Sequence, residues 1–284
     1  MNALGFYGLS FREFCRRVWK NSLDTDATGM AAQLAYYFLF SLFPLLFCLV
    51  PVLSRLSPIQ QTLNELSVRL PILIPAQGGA LIAESMRALL ADSQRPLASL
   101  FGVGLLVTLW SASRAINALR YGLNLTFEAK ETRPYWRLQL LALWMTFAVA
   151  FLVLLGFAVF LFGGRFSLRL SAMLGISFRW IVWVRWPFSI CVLGGAILLC
   201  YSILPNVKHH LRSLFLGTGV ASILWVVTAW GFTKYIKNFG HYNTIYGSIG
   251  SVIVLMMWFY ISGLVLVVGG NINGVLLRHS QGKS

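Results

Sequence analysis

Residues 242–274 read YNTIYGSIGSVIVLMMWFYISGLVLVVGGNING, without a single Asp, Glu, Lys or Arg. As a helix, about 20 apolar residues cross the hydrocarbon core of a bilayer, so this stretch spans it with residues to spare. Its glycine-rich opening raises a second question, whether residues 246–250 cradle a phosphate. A nucleotide loop of the Walker type needs GxxxxGK[ST], and no lysine follows here. Two readings remain for Gly247, Ser248, Gly250 and Ser251. Small residues let a neighbouring backbone approach closely. A helix start also leaves free N–H groups at its positive end, where an anionic headgroup can dock, with Asn243 and Tyr246 as further donors.

Composition agrees with a membrane protein. The chain has 284 residues, 58% of them hydrophobic and only 11% charged, with mean hydropathy +0.74. Soluble domains carry about 25% charged residues. Eight acids against 23 Lys and Arg leave a formal charge of +15. In a soluble protein that excess suggests nucleic acid. Here, with no long basic tract, it fits anionic lipid at helix ends and loops, and no nucleic-acid partner is expected. Cys48, Cys191 and Cys200 lie in apolar runs and Cys15 in a basic segment. They read as packing residues, with no metal or disulfide spacing. No cleavable signal peptide is expected, because the first long apolar run begins near Ala31.

Six charge-free runs mark the spans: 27–54, 96–113, 138–164, 186–207, 213–233 and 238–277. Arg114 and Arg185 flank spans two and four and can snorkel to the interface. The sixth run is expected to be one tilted helix followed by a non-spanning Gly/Asn tail. The fold class is therefore all-α, a polytopic membrane bundle of about six transmembrane helices, with five as the alternative. Its expected organisation is a cytoplasmic amphipathic segment at 1–23, a membrane domain at 24–277 and a tail at 278–284. With the N-terminus inside, the densest Lys/Arg clusters share one side, which places both termini in the cytoplasm.

Before the first span, LSFREFCRRVWK repeats Phe11, Phe14, Cys15, Val18 and Trp19 on one helical face. Arg12, Arg16, Arg17 and Lys20 take the other side. Ser10 with Glu13 reads as a capping box and Leu9 with Phe14 as a hydrophobic staple. Such a helix lies in the interface against anionic headgroups, or packs on the inner end of the bundle. Between spans one and two, residues 54–96 are expected to form short outer helices, with Ile82, Met86, Leu89 and Leu90 on one stripe; they serve as a lid or as a connector.

Polar side chains in a bilayer face protein or a wet cavity. Asp24 or Asp26 is expected to cap span one. Within it, Gln33, Tyr37, Ser41 and Pro44 share a face that suits either interhelical hydrogen bonds or a lined pathway. After span two, Arg114, Asn117, Arg120 or Tyr121, and Asn124 lie three or four apart. These arginines can hold a phosphate or carboxylate, or pair with Glu128 or Glu131.

Together, AAQLAYYFLFSLFPLL, WSASRAINALRYGLNLTFE with RPYWR, YSILPN and the 242–274 stretch resemble the YihY/virulence factor BrkB family of bacterial inner-membrane proteins. The resemblance runs from about Asp24 to Asn273. It implies an all-helical, mostly six-span inner-membrane protein. Family members once labelled ribonuclease BN carry that label mistakenly, and others are linked to serum resistance and to export of lipid A precursors. It carries over no catalytic or binding residues.

An enzyme is not expected. The acids are scattered, no HExxH or GxSxG occurs, and His209–His210 sits in a basic loop. No catalytic residue, cofactor or metal is expected. The chain lacks the intramembrane ionisable residues of a proton-driven pump. Handling or translocating a lipid or other amphiphile needs polar floors, apolar walls and basic residues at headgroup level. Those are offered by Gln33, Tyr37 and Ser41, by Arg114, Asn117 and Arg120, and by the start of span six at Asn243, Tyr246, Gly247 and Ser248. The alternatives are a membrane scaffold for envelope-assembly proteins, working through the 54–96 loop, and a small-solute transporter.

Overall fold

Lipid cannot satisfy backbone N–H and C=O groups, so a chain this apolar must satisfy them internally, as helix. The computed structural model describes residues 10–56, 97–174, 181–207, 211–238 and 242–280, with backbone only at 43–56, 97–103, 154, 157–174, 181–186, 237–238, 242–248 and 280. Among the described residues there is no strand. A short helix α1 (Phe11–Asp24) precedes six long ones: α2 (Ala27–Leu56), α3 (Leu97–Thr126), α4 (Tyr135–Leu174), α5 (Ile181–Ile203), α6 (Phe215–Asn238) and α7 (Tyr242–Ser280). A 3-10 turn, Leu211–Leu214, leads into α6. Each long helix covers most of one of the six charge-free runs. Stretches within α4, α6 and α7 are long and apolar enough to cross a membrane.

The outward faces show which solvent the helices expect. On α4, Leu140, Trp144, Phe147 and Phe151 are exposed, and on α6 Ile223, Val227 and Trp230. Both sets recur three or four residues apart, as continuous outward stripes. In water such stripes would be an aggregation liability; in a bilayer they meet lipid tails.

The chain divides into two compact units, 1–25 with 123–223 and 268–284, and 26–122 with 224–267. In the first, α4 packs along α5. Phe14 of α1 is buried with Ile272, Val275 and Leu276 of α7, and Val18 packs alongside. In the second, Phe232, Ile236 and Trp258 form a core joined by Trp225 and Phe259. There Gly263 of α7 lies against α2, where an added Cβ would stand 3.2 Å from the Ala31 carbonyl.

Several expectations change. The sixth run has no separate Gly/Asn tail, because α7 is one helix of 39 residues that reaches Ser280, into the expected tail. Ser10 is the N-cap of α1 by backbone geometry, but its side chain makes no capping bond. Glu13 pairs instead with Arg17 at 2.8 Å, one turn on, which leaves no capping box. The single apolar face expected on α1 is two faces: Phe14 and Val18 pack inward, while Phe11, Trp19 and Leu23 are exposed. Of the cysteines expected to pack, Cys200 is buried but Cys15 and Cys191 are exposed. The cap of α2 is settled in favour of Asp26, whose Oδ1 accepts the Gly29 N–H at 3.0 Å and the Thr28 hydroxyl at 3.1 Å. Asp26 has φ 47, a left-handed conformation that Asp tolerates better than most residues. Leu9, the outer helices at 57–96 and the His209–His210 pair lie outside the described residues.

Candidate functional site

The glycines and asparagines that end the 242–274 stretch form a buried polar contact in the first unit. At the crossing of α6 and α7 no side chain fits: a Cβ on Gly217 would stand 2.5 Å from the Gly269 carbonyl, and one on Gly269 2.5 Å from the Tyr201 hydroxyl. Five residues further on, a Cβ on Gly274 would meet the Thr126 carbonyl at 2.7 Å. Small residues therefore bring α3, α5 and α6 against the backbone of α7.

Asn271 sits fully buried at this convergence. Its Oδ1 accepts from the Thr126 hydroxyl at 2.7 Å and from Asn21 Nδ2 at 3.1 Å, and its Nδ2 donates to Ser22 at 2.9 Å. The Thr25 hydroxyl lies 3.5 Å from the same oxygen, but its one proton goes to the Asn21 carbonyl at 2.7 Å. Two donors thus match the two lone pairs of the amide oxygen. Asn273, also fully buried, accepts the Gly217 N–H at 2.9 Å. It satisfies a first-turn donor of α6 that has no partner within its own helix. Asn271 and Asn273 join helices rather than end one.

A second polar tie lies at the end of α3. The Ala129 N–H donates to the Asn124 carbonyl and the Glu128 N–H to that of Leu125, the paired bonds of a Schellman ending. Glu128 holds the left-handed position with φ 51, where glycine is usual. That position lets its carboxylate meet Arg278, whose other nitrogen donates to Asn21 at 2.7 Å. The side chain of Asn124 accepts the Asn206 N–H at 2.8 Å and donates to Glu131 at 2.9 Å. Arg133 donates to Asn206 Oδ1 at 3.2 Å and to the Pro205 carbonyl at 3.1 Å. The segments RPYWR and YSILPN therefore meet through these groups. Glu128 and Glu131, expected partners of Arg114 and Arg120, are engaged by Arg278 and by Arg133 and Asn124.

The residues singled out for binding lie in the second unit. On α2 the buried face is Ala27, Met30, Ala31, Leu34 and Ala35. Gln33 points away from it and is exposed, with Tyr37 and Ser41 half-buried. The Ser41 hydroxyl donates to its own helix at the Phe38 carbonyl, 2.9 Å away. Tyr36 and Phe40 stack beside this face with ring centroids 5.8 Å apart. On α3, exposed Arg114 lies over the Trp110 ring at 5.2 Å, a cation–π contact. Asn117 and Arg120 are half-buried, and Asn124 is buried, so this polar face turns inward along the helix. Among the described residues no hydrogen bond or ring contact joins Gln33 or Tyr37 to Arg114. The helix α7 starts at Tyr242, so its free first-turn N–H groups belong to 242–245, ahead of Gly247 and Ser248. The side chains of Asn243, Tyr246 and Ser248, and that of Pro44, lie outside the described residues. Among the described residues no group of three His, Cys, Asp or Glu side chains is placed to share a metal ion.

The ribonuclease-like protein YfkH of Bacillus subtilis (strain 168) is 34% identical over 271 residues, covering 94% of this chain and 96% of its own. A UPF0761 membrane protein of Aeromonas salmonicida (strain A449) is 29% identical over 283 residues, covering 99% of this chain and 94% of its own. No solved structure matches. The family described as virulence factor BrkB matches residues 18–284, and the chain belongs to this family of membrane proteins.

Proposed function

We propose that the protein binds and moves a lipid or another amphiphile in the bacterial inner membrane, in the service of envelope assembly, and that it does so without catalysis. The observation that carries the reading is the outward polar face of α2, where Gln33 is exposed beside half-buried Tyr37 and Ser41. A carboxamide turned outward from a membrane helix needs a wet groove or a polar ligand, because hydrocarbon offers it no partner. The stacked Tyr36 and Phe40 supply apolar walls. Arg114, held over Trp110, supplies a cation at the level where aromatic belts meet headgroups. The expected partner is a membrane lipid with an anionic headgroup, and both termini are assigned to the cytoplasm by their basic clusters.

A ribonuclease-like name for one relative does not bring nucleolytic chemistry with it. Four of the five described acids have structural work. Glu13 binds Arg17, Asp26 caps α2, Glu128 binds Arg278 and Glu131 binds Arg133. Such carboxylates are poorly placed for the proton transfers or metal ligation of hydrolysis.

Mass spectrometry of lipids retained after gentle purification tests the reading. One anionic species is expected to be enriched over the surrounding membrane. Arg114→Ala or Arg120→Ala should lower that enrichment by about tenfold, the worth of one charge-assisted hydrogen bond, with normal protein levels. A retained pool that matches the bulk membrane would contradict amphiphile handling and favour a scaffold for envelope proteins.

A further inference from the structure

The helix α1 is fixed in rotation by the rest of its unit. Phe14 and Val18 pack on Ile272, Val275 and Leu276 of α7, and Asn21 Nδ2 donates to Asn271 at 3.1 Å. At about 100° per residue these three inward positions share a sector of roughly 60°, so the direction of every other α1 side chain follows. Phe11, Cys15, Trp19 and Leu23 recur every four residues and are exposed. They form a stripe about 18 Å long, centred roughly 110° around from the inward sector. Phe11, Trp19 and Leu23 keep 65%, 70% and 64% of their surface open, too much for residues that the fold packs.

The charges of α1 are not spread evenly around the remainder. Glu13, Arg17 and Asp24 lie roughly 160° from the stripe. Glu13 and Arg17 neutralise one another at 2.8 Å, and Lys20 and Asp24 are opposite charges one turn apart. Arg12 and Arg16 differ. Both are exposed, and neither makes an ion pair among the described residues. They sit only about 60° beyond the stripe, on the side away from the bundle. Around one helix the order is therefore bundle, apolar stripe, unpaired arginines and charge-balanced polar side.

Water would leave the stripe as exposed apolar surface. The boundary of an anionic bilayer suits both rows, with acyl chains under the stripe and phosphates beside it, at the level where arginine stems snorkel. That boundary is close by. Arg278 links Asn21 of α1 to Glu128, just ahead of α4, so α1 lies at the end of the unit where α4 begins. There α4 exposes Tyr135 and Trp136, residue types that mark a membrane interface. We propose that the outer face of α1 docks on the anionic lipid interface beside the bundle. Phe11, Cys15, Trp19 and Leu23 enter the upper acyl chains, and Arg12 and Arg16 bind lipid phosphates. This surface is separate from the polar face of α2 and does not depend on the function proposed above.

The test uses the full chain in nanodiscs that mix phosphatidylglycerol with phosphatidylcholine. Nitroxide labels are placed one at a time on Cys15, Trp19→Cys and Asp24→Cys, with the remaining cysteines replaced by alanine. The first two should collide with oxygen and escape a water-soluble nickel chelate; the third should do the reverse. A second arm keeps the natural cysteines. Photoreactive headgroup analogues of the two lipids are crosslinked to the protein, and adducts on α1 are counted by mass spectrometry. Phosphatidylglycerol adducts should exceed that lipid's share of the bilayer. Arg12→Gln or Arg16→Gln should each lower the preference about fivefold, the effect of one cation at an anionic surface. Glu13→Gln combined with Arg17→Gln removes a balanced pair and should shift it less than about twofold. Nickel access at positions 15 and 19 would place the stripe in water, and access to neither reagent would place it under protein; either result overturns the proposal. Oxygen access without a phosphatidylglycerol preference would overturn the assignment of Arg12 and Arg16 to lipid phosphate.

Discussion

In the unit formed by residues 1–25, 123–223 and 268–284, asparagines join the helices; in the unit formed by 26–122 and 224–267, aromatic rings do. Asn271 ties α1 and α3 to α7, Asn273 caps α6, and Asn124 and Asn206 close the loops. Across the second unit Trp258 meets Trp225 and Phe232 with ring centroids 5.5 and 5.4 Å apart, and Phe38 meets Phe259 at 5.8 Å. The difference is one of directionality. Each asparagine bond accepts one partner at one angle and so fixes helix register, whereas ring contacts tolerate sliding and tilt. The first unit uses its asparagines to join its own helices. The unit packed by rings leaves polar groups facing outward, at Gln33 and Arg114.

This contrast breaks most visibly at Asn271. Asn271→Leu keeps the volume roughly constant but takes the partner from Asn21 Nδ2, Ser22 and Thr126. The expected loss is about 4 kcal/mol, from two buried groups and one half-buried group left unsatisfied, measured by equilibrium unfolding in mixed micelles. A loss under about 1 kcal/mol, the usual worth of an intramembrane hydrogen bond, would mean that packing alone holds this unit too. In the second unit Trp258→Ala should cost about 3 kcal/mol, at the low end of the range for soluble cores, because lipid solvates a released indole nearly as well as the core does. A larger cost there than at Asn271 would reverse the comparison.

The fold was legible for a simple reason. A bilayer excludes charge from its core, so runs without Asp, Glu, Lys or Arg coincide with the long helices. The polar face of α2 was legible as well, since Gln33, Tyr37 and Ser41 share a face by helical period alone. The asparagine tie was not, because its members are far apart in the chain: Thr126 is 145 residues from Asn271, and Asn21 is 250. The one local hint was the crowding of Gly269, Gly270 and Gly274 around the two asparagines, which reads equally well as a tail. On α1 the periodicity gave a single apolar stripe. Which part packs inward depends on Ile272, Val275 and Leu276 of α7, and no pattern within α1 records them. The capping box failed because Glu13 had a nearer cation in Arg17.

The smallest expected change in stability is also the most informative. Gln33→Leu should leave unfolding within about 0.5 kcal/mol of wild type, as an exposed position does. The first measurement on that variant is the mass spectrum of its retained lipids. The account predicts that the protein folds normally and that its lipid pool falls back to the composition of the bulk membrane. A normal fold that keeps the wild-type lipid enrichment would contradict the assignment of this face to ligand binding, and a destabilised protein would show that Gln33 serves packing instead.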